Sequence, residues 1–196
     1  MPKVTEAYRT ARRAEILGAA LRCFARKGYR GTSMADIIAE AGLSAGAIYG
    51  HFSSKQELFA AVAGEVLAAR QHELEARRAV GAPLTPAEIM TTLIDGMRHE
   101  AIGGVVVQLW AEAAIDPEIR ALANGVFTRL RASIADRLAE WAATRPELVG
   151  PDARSWAERT APVIIGLAPG FLVQQTIVDG FDAEAYLTAL QETLPH

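Results

Sequence analysis

The chain has 196 residues, 51% apolar and 22% charged, which is long enough to bury a real core and excludes a disordered protein. No apolar run reaches the roughly 18 residues that span a bilayer, the N-terminus lacks a secretion signal's apolar segment, and the lone cysteine, Cys23, excludes an intramolecular disulfide, so a reduced, cytoplasmic protein without membrane association is expected. The net charge of −3 hides an asymmetry: residues 1–60 carry nine Lys/Arg and five Asp/Glu, net +4, while residues 61–196 are net −7, the pattern of a basic head for a polyanion on an acidic body.

Alanine, leucine, glutamate and arginine dominate, and no alternating strand pattern appears, so an all-α fold of about nine helices is predicted. The first helix runs from about Tyr8 to Lys27, with Ile16, Ala20, Cys23 and Phe24 on its apolar face and Gly28 as its stop. Cys23 therefore reads as core, not as a reactive thiol. Thr32 or Ser33 caps a short helix to Ala41, which Gly42 ends, and Ser44 caps another from Ala45 to about His51. Ser54-Lys55-Gln56-Glu57 reads as a capping box that opens a long helix to about Ala79.

After a break at Gly81-Ala82-Pro83, Thr85-Pro86-Ala87-Glu88 is a second capping box, with proline at the first helical position. Gly103-Gly104 is expected to mark the next boundary. Asp116-Pro117 starts a helix to about Ala143, and residues 146–151 read as a loop. A helix from about Asp152 to Val178 contains Pro162 and Pro169 and is expected to kink or break there. Asp182 caps a last helix that ends near Leu194.

The two short helices at 33–51 are the segment with a functional logic. Ile37, Ala41, Leu43 and Ile48 form an apolar seam that packs the pair on the first helix, and Gly42 allows the turn its positive φ. Ser44, Ala45, Gly46 and Ala47 leave the second helix almost bare on one side, so its backbone can approach a DNA groove closely. Spacing alone is equally compatible with a connector helix in a bundle.

From Arg12 to Val62, a quarter of the chain, the order of features is specific: Ile16 to Tyr29, then Thr32-Ser33-Met34, then Asp36 to Ser44, then Ala47-Ile48-Tyr49-Gly50-His51-Phe52, then Ser54 to Leu58. This set resembles the N-terminal domain of TetR/AcrR regulators. The resemblance implies a three-helix helix-turn-helix domain at 1–54 and a helical effector-binding and dimerisation domain at 55–196. It implies phosphate contacts from Tyr49, His51, Lys55, Thr32 and Ser33, and base contacts from Ser44, Ala45, Gly46 and Ile48. Arg9, Arg12 and Arg13 reach the DNA backbone or minor groove, or form a solvated face. Ile38 and Gly50 depart from the usual pattern, so operator specificity cannot be borrowed from a relative.

In the body only the general plan matches. The resemblance implies that the last two long helices form a dimer interface, for which the apolar stretch Val163–Val173 and Tyr186, Leu187, Leu190 and Leu194 are candidates. Met90, Met97, Leu109, Trp110, Phe127 and Gln174 are candidates for an effector pocket, with core packing the plainer role for each. The expected partners are a pseudo-palindromic double-stranded DNA operator, a second copy of the chain and an apolar or amphipathic small molecule that releases the DNA by shifting the fourth helix. No cofactor or metal is expected, because histidines 51, 72, 99 and 196 are scattered and no phosphate loop follows a strand. Catalysis is thereby disfavoured. An activator, or a DNA-binding regulator without an effector, stays open beside the repressor.

Overall fold

A computed structural model describes residues 6–79, 81–98 and 100–195, and among these it contains helices and no strand. The elements are α1 (Glu6–Gly31), α2 (Met34–Ala41), α3 (Ala45–Tyr49), α4 (Lys55–Arg78), α5 (Pro86–Met97), α6 (Glu100–Ile115), α7 (Pro117–Ala143), α8 (Pro146–Val149), α9 (Ala153–Ile177) and α10 (Ala183–Thr193). By its contacts the chain divides into two compact units. One is the chain up to Glu65 together with Ala101–Ala123, and the other is Val66–Glu100 with the chain from Asn124.

The first unit is built on the apolar face of α1. Ile16, Ala20, Cys23 and Phe24 are buried, as are Ile37 of α2, Ile48 of α3 and Phe59 and Val62 of α4, and α1 packs on α2. Phe24, Tyr29 and Phe59 form an aromatic cluster, with the Phe24 and Phe59 centroids 4.8 Å apart and edge to face. Val105 and Leu109 of α6 and Ile119 of α7 are buried too. In the second unit α5 packs on α9 and α10, and α8 packs on α9. Ile89, Leu93 and Ile94 of α5, Ala161, Ile164 and Phe171 of α9 and Leu190 of α10 are all buried.

Three expectations from the sequence are corrected. Gly103 and Gly104 lie inside α6, not at a boundary; glycine in a helix costs only about 1 kcal/mol, and burial of Val105, Val106 and Leu109 holds the helix. The stretch expected as a loop after Arg145 contains the one-turn helix α8, which brings the described elements to ten. Of the kink or break expected in α9, the break is absent: the helix continues through both Pro162 and Pro169. Pro162 is exposed and Pro169 half-buried, so water can reach the carbonyls they leave unpaired, while Ala157, Ala161, Ile164, Ala168, Phe171 and Leu172 hold the opposite face. Helix α9 is also the one described helix long and apolar enough, by length and composition, to cross a bilayer.

Candidate nucleic-acid interface

Local chemistry shapes the helix pair. Gly28 interrupts α1 at φ 69° and ψ 169°, a conformation open essentially to glycine alone. Ser33 caps α2: its Oγ accepts from the Asp36 N–H, and the Asp36 carboxylate accepts from the Ser33 N–H at 2.8 Å. Gly42 closes α2 in the left-handed region, at φ 64°. Ser44 caps α3, its Oγ accepting from the Ala47 N–H at 3.2 Å.

The outward face of α3 is bare. Ser44, Ala45 and Gly46 are exposed, and Tyr49, half exposed, is its one large side chain in solvent. Ile48 is fully buried, so of the two roles open to it from sequence it occupies the seam and cannot reach a base. His51 is half-buried and, with Ala47, Tyr8, Arg9 and Arg12, lines a groove of about 490 Å³ between α3 and the start of α1.

Two residues expected at phosphates are engaged inside the head. Thr32 is buried, and its hydroxyl donates to the Gly28 carbonyl at 2.7 Å and the Cys23 carbonyl at 3.2 Å, tying off the end of α1. That hydroxyl cannot also face DNA. The Lys55 ammonium donates to the carbonyls of Tyr29 and Thr32, both at 2.9 Å, and sits 4.2 Å from the Tyr29 ring centroid. Burial lowers its pKa, and two of its three protons stay within the protein. Ser33 is exposed, with its hydroxyl donated to Asp36. The capping box expected at Ser54 is shared: Ser54 accepts from the Glu57 N–H, but the Glu57 carboxylate accepts from the N–H and hydroxyl of Ser53, which lowers its pKa.

The basic residues of α1 fall into two groups. Arg22 and Arg26 both pair with Glu40, at 2.7 and 2.6 Å, and Lys27 pairs with Asp36 at 2.5 Å. Arg26, then Arg22, hold the Glu40 carboxyl down to about 2, and Lys27 and Ser33 hold that of Asp36 lower still. These cations are neutralised by α2. Nearer the N-terminus, Arg9 is exposed without an ion pair among the described residues, Arg13 lies 4.7 Å from the Phe52 ring centroid, and Arg12 bonds Tyr8 and Glu15. The uncompensated charge of the head is thus concentrated at the end of α1 that borders α3.

No local pattern signals the grip from α6. The Gln108 side-chain oxygen accepts from the Tyr29 N–H at 2.9 Å, just past the Gly28 kink, and Glu112 pairs with Arg30 at 2.8 Å. These partners lie about eighty positions apart, beyond any local pattern.

Of the pocket candidates, Met90, Met97 and Leu109 are fully buried core residues, Trp110 and Phe127 are half-buried, and Gln174 is exposed, its amide donating to the Gly170 carbonyl. None lines a cavity of about 970 Å³ that is walled in the second unit by residues of α4, α5 and α7 and by residues 81–85. Among the described residues no three His, Cys, Asp or Glu side chains gather as a metal site, and His99 and His196 lie outside those residues.

Residues 16–62 match the bacterial regulatory proteins of the tetR family, and residues 87–196 match the C-terminal domain of BetI-type transcriptional repressors. The repressor AcnR of Corynebacterium jeikeium is 35% identical over 133 residues, 67% of this chain and 70% of that one. Other curated relatives match over 58 to 76 residues, the chain spanning 28% to 40% of their length. Among solved structures, FadR of Bacillus subtilis in complex with stearoyl-CoA has a TM-score of 0.74 at 19% identity, covering 91% of this chain and 95% of that one. A transcriptional regulator of Saccharomonospora viridis in complex with choline has a TM-score of 0.67 at 24% identity, covering 93% and 95%. With a helix-turn-helix head, an all-helical body and sequence matches over both, the chain belongs to the TetR family of bacterial transcriptional regulators.

Proposed function

We propose that the protein is a ligand-responsive repressor that binds a pseudo-palindromic operator as a homodimer and releases it when a small molecule occupies the body. The observation that carries the DNA half is the face of α3: Ser44, Ala45 and Gly46 are exposed and nearly without side chains, so the backbone can enter a major groove, with Tyr49 beside them. His51, Arg9 and Arg13 supply donors for flanking phosphates, while both donors of Ser33 are held by Asp36. Lys55 adds its third proton at most, and its main task is to hold α4 to the turn before α2.

Repression is favoured by the match to BetI-type repressors and the likeness to AcnR. Dimerisation is supported by α9, which exposes Val163, Val173 and Ile177 on one stripe, at 67%, 39% and 71% of their surface; apolar exposure of this extent marks a face that another surface covers. A ligand is supported by neighbours of the same fold that hold stearoyl-CoA or choline. Selection of random and genomic duplexes with the purified protein tests the reading. Enrichment of one two-fold-related site, bound by two copies, is the expected result. A folded protein that enriches no sequence refutes it.

A further inference from the structure

The kink in α1 is a point of freedom that its surroundings must settle. Glycine populates positive and negative φ about equally, so the conformation of Gly28, φ 69° and ψ 169°, is chosen by the bonds around it and not by the residue itself. The carbonyl side of the turn is held from within the head. The Thr32 hydroxyl donates to the Gly28 carbonyl at 2.7 Å, and the Lys55 ammonium donates to those of Tyr29 and Thr32, both at 2.9 Å.

The donor side is held by α6. Tyr29 is buried, and its N–H, the first after the kink, donates to the Gln108 side-chain oxygen at 2.9 Å. That oxygen lies over the kink itself, 3.6 Å from where a Cβ on Gly28 would stand. One turn further along α6, the Glu112 carboxylate accepts two bonds from the Arg30 guanidinium, at 2.8 and 3.3 Å. This paired geometry fixes direction as well as distance. Gln108 and Glu112 share a face of α6, as residues one turn apart do, and both lie in the first unit with the head. Shortly past Arg30, Ser33 caps α2, so the chain enters the helix pair α2 and α3 directly from this turn.

We propose that Gln108 and Glu112 are positioning residues for operator binding: from α6 they fix the turn at Gly28, Tyr29 and Arg30, and with it the entry into α2 and α3, in the orientation that DNA accepts. Neither needs to touch DNA. Glu112 is an anion, which a phosphate backbone repels, so its contribution to affinity comes through the head it holds. Without the two bonds Gly28 moves among its allowed conformations. Apparent affinity then falls by the fraction of heads in the accepted orientation, and a dimer suffers that factor twice. A head so oriented about a third of the time would lower operator affinity about tenfold. The inference rests on the proposed binding of DNA by a dimer and not on any effector.

The test is binding of the full chain to a labelled operator selected from random duplexes, read by fluorescence anisotropy, with urea unfolding of each variant beside it. Gln108→Leu removes the acceptor and should weaken binding about tenfold at an unchanged salt slope, since no phosphate contact is lost. Gln108→Glu keeps an oxygen acceptor and should stay within about threefold of the parent. Glu112→Gln loosens the hold on Arg30 and removes a negative charge. It should lower operator affinity, the reverse of what loss of an anion alone does to DNA binding. Amide exchange gives a local readout: operator binding should slow exchange of the Tyr29 N–H in the parent, because coupling between the turn and DNA is reciprocal. Full affinity in Gln108→Leu, a loss that Gln108→Glu shares, tighter binding by Glu112→Gln, or a loss no larger than the fall in folded protein would each overturn the proposal. A parent that selects no site defeats the DNA reading and this inference with it. A selected site bound equally by parent and variants defeats this inference alone.

Discussion

Replacing Lys55 with methionine keeps the aliphatic stem and removes the ammonium. Two carbonyls, those of Tyr29 and Thr32, then lose their donor, and the ring of Tyr29 loses its cation. A hydrogen bond to a charged group contributes about 1.5–3 kcal/mol net. The two here share one ammonium whose burial already lowers its pKa, so they offset part of their own desolvation cost. A loss of about 2–3 kcal/mol of stability is expected for Lys55→Met, read from urea unfolding by circular dichroism at fixed protein concentration. Operator affinity measured against salt supplies the contrast. Each phosphate contact contributes about 0.9 to the slope of log K against log salt. Arg9→Ala removes two such contacts from a dimer and should flatten the slope by about 1.8, with little change in unfolding. Lys55→Met, judged on the fraction that stays folded, should leave the slope nearly unchanged. A Lys55 variant as stable as the parent but with a slope flattened like that of the Arg9 variant would refute the assignment of Lys55 to the interior of the head.

Three further expectations follow from particular positions. Gly28→Ala places a side chain at φ 69°, ψ 169°; its Cβ would meet the Gln108 oxygen only at an ordinary 3.6 Å, so the cost is backbone strain of about 1–3 kcal/mol, and a urea midpoint equal to the parent's would contradict it. Glu40, paired with Arg22 and Arg26, has its pKa lowered on folding, so its contribution is complete above the ordinary carboxylate range and disappears as pH falls toward about 2. Glu40→Gln should therefore be less stable than the parent at pH 7, with the gap closing between pH 4.5 and 2, and a gap of the same size at the acid end would exclude the pair as its source. Val163→Asp with Ile177→Asp charges the exposed stripe of α9 and should shift the protein from dimer to monomer in analytical ultracentrifugation, whereas an unchanged dimer would move the interface elsewhere.

The head was largely legible in the sequence because its determinants are local. Ser33, Ser44, Thr85 and Asp182 announce helix starts three residues from the N–H groups they bond, and Gly42 marks the single left-handed turn between α2 and α3. The bare face of α3 needed only residue sizes. The intramolecular partners of Thr32 and Lys55 were illegible for the opposite reason: a threonine or lysine engaged with distant carbonyls has the same local signature as one at a phosphate. Lys55 meets its carbonyls 23 and 26 residues away in the chain. The cavity was illegible for a stronger version of that reason. Apolar periodicity selected Met90, Met97 and Leu109, which the core absorbs, whereas the cavity wall gathers residues 73–88 with residues 141–145, more than fifty positions apart.

Coupling between a ligand and the head requires that the ligand favour one of two arrangements of whatever holds the head. The sequence pointed to α4 alone as that holder, since α4 follows the helix-turn-helix directly. The head is in fact held twice within its own unit, by Lys55 at the start of α4 and by Gln108 and Glu112 on α6. The chain passes between the two units at three places, after Glu65, after Glu100 and after Ala123. Two of these crossings fall in the interior of helices, α4 and α7, and the third lies one residue into α6. A helix transmits displacement along its axis with its hydrogen bonds intact, whereas a loop absorbs it. Two of the three covalent routes therefore run through a helix, α4 and α7, while within the first unit α6 holds Tyr29 and Arg30, beside the glycine that α1 needs in order to turn.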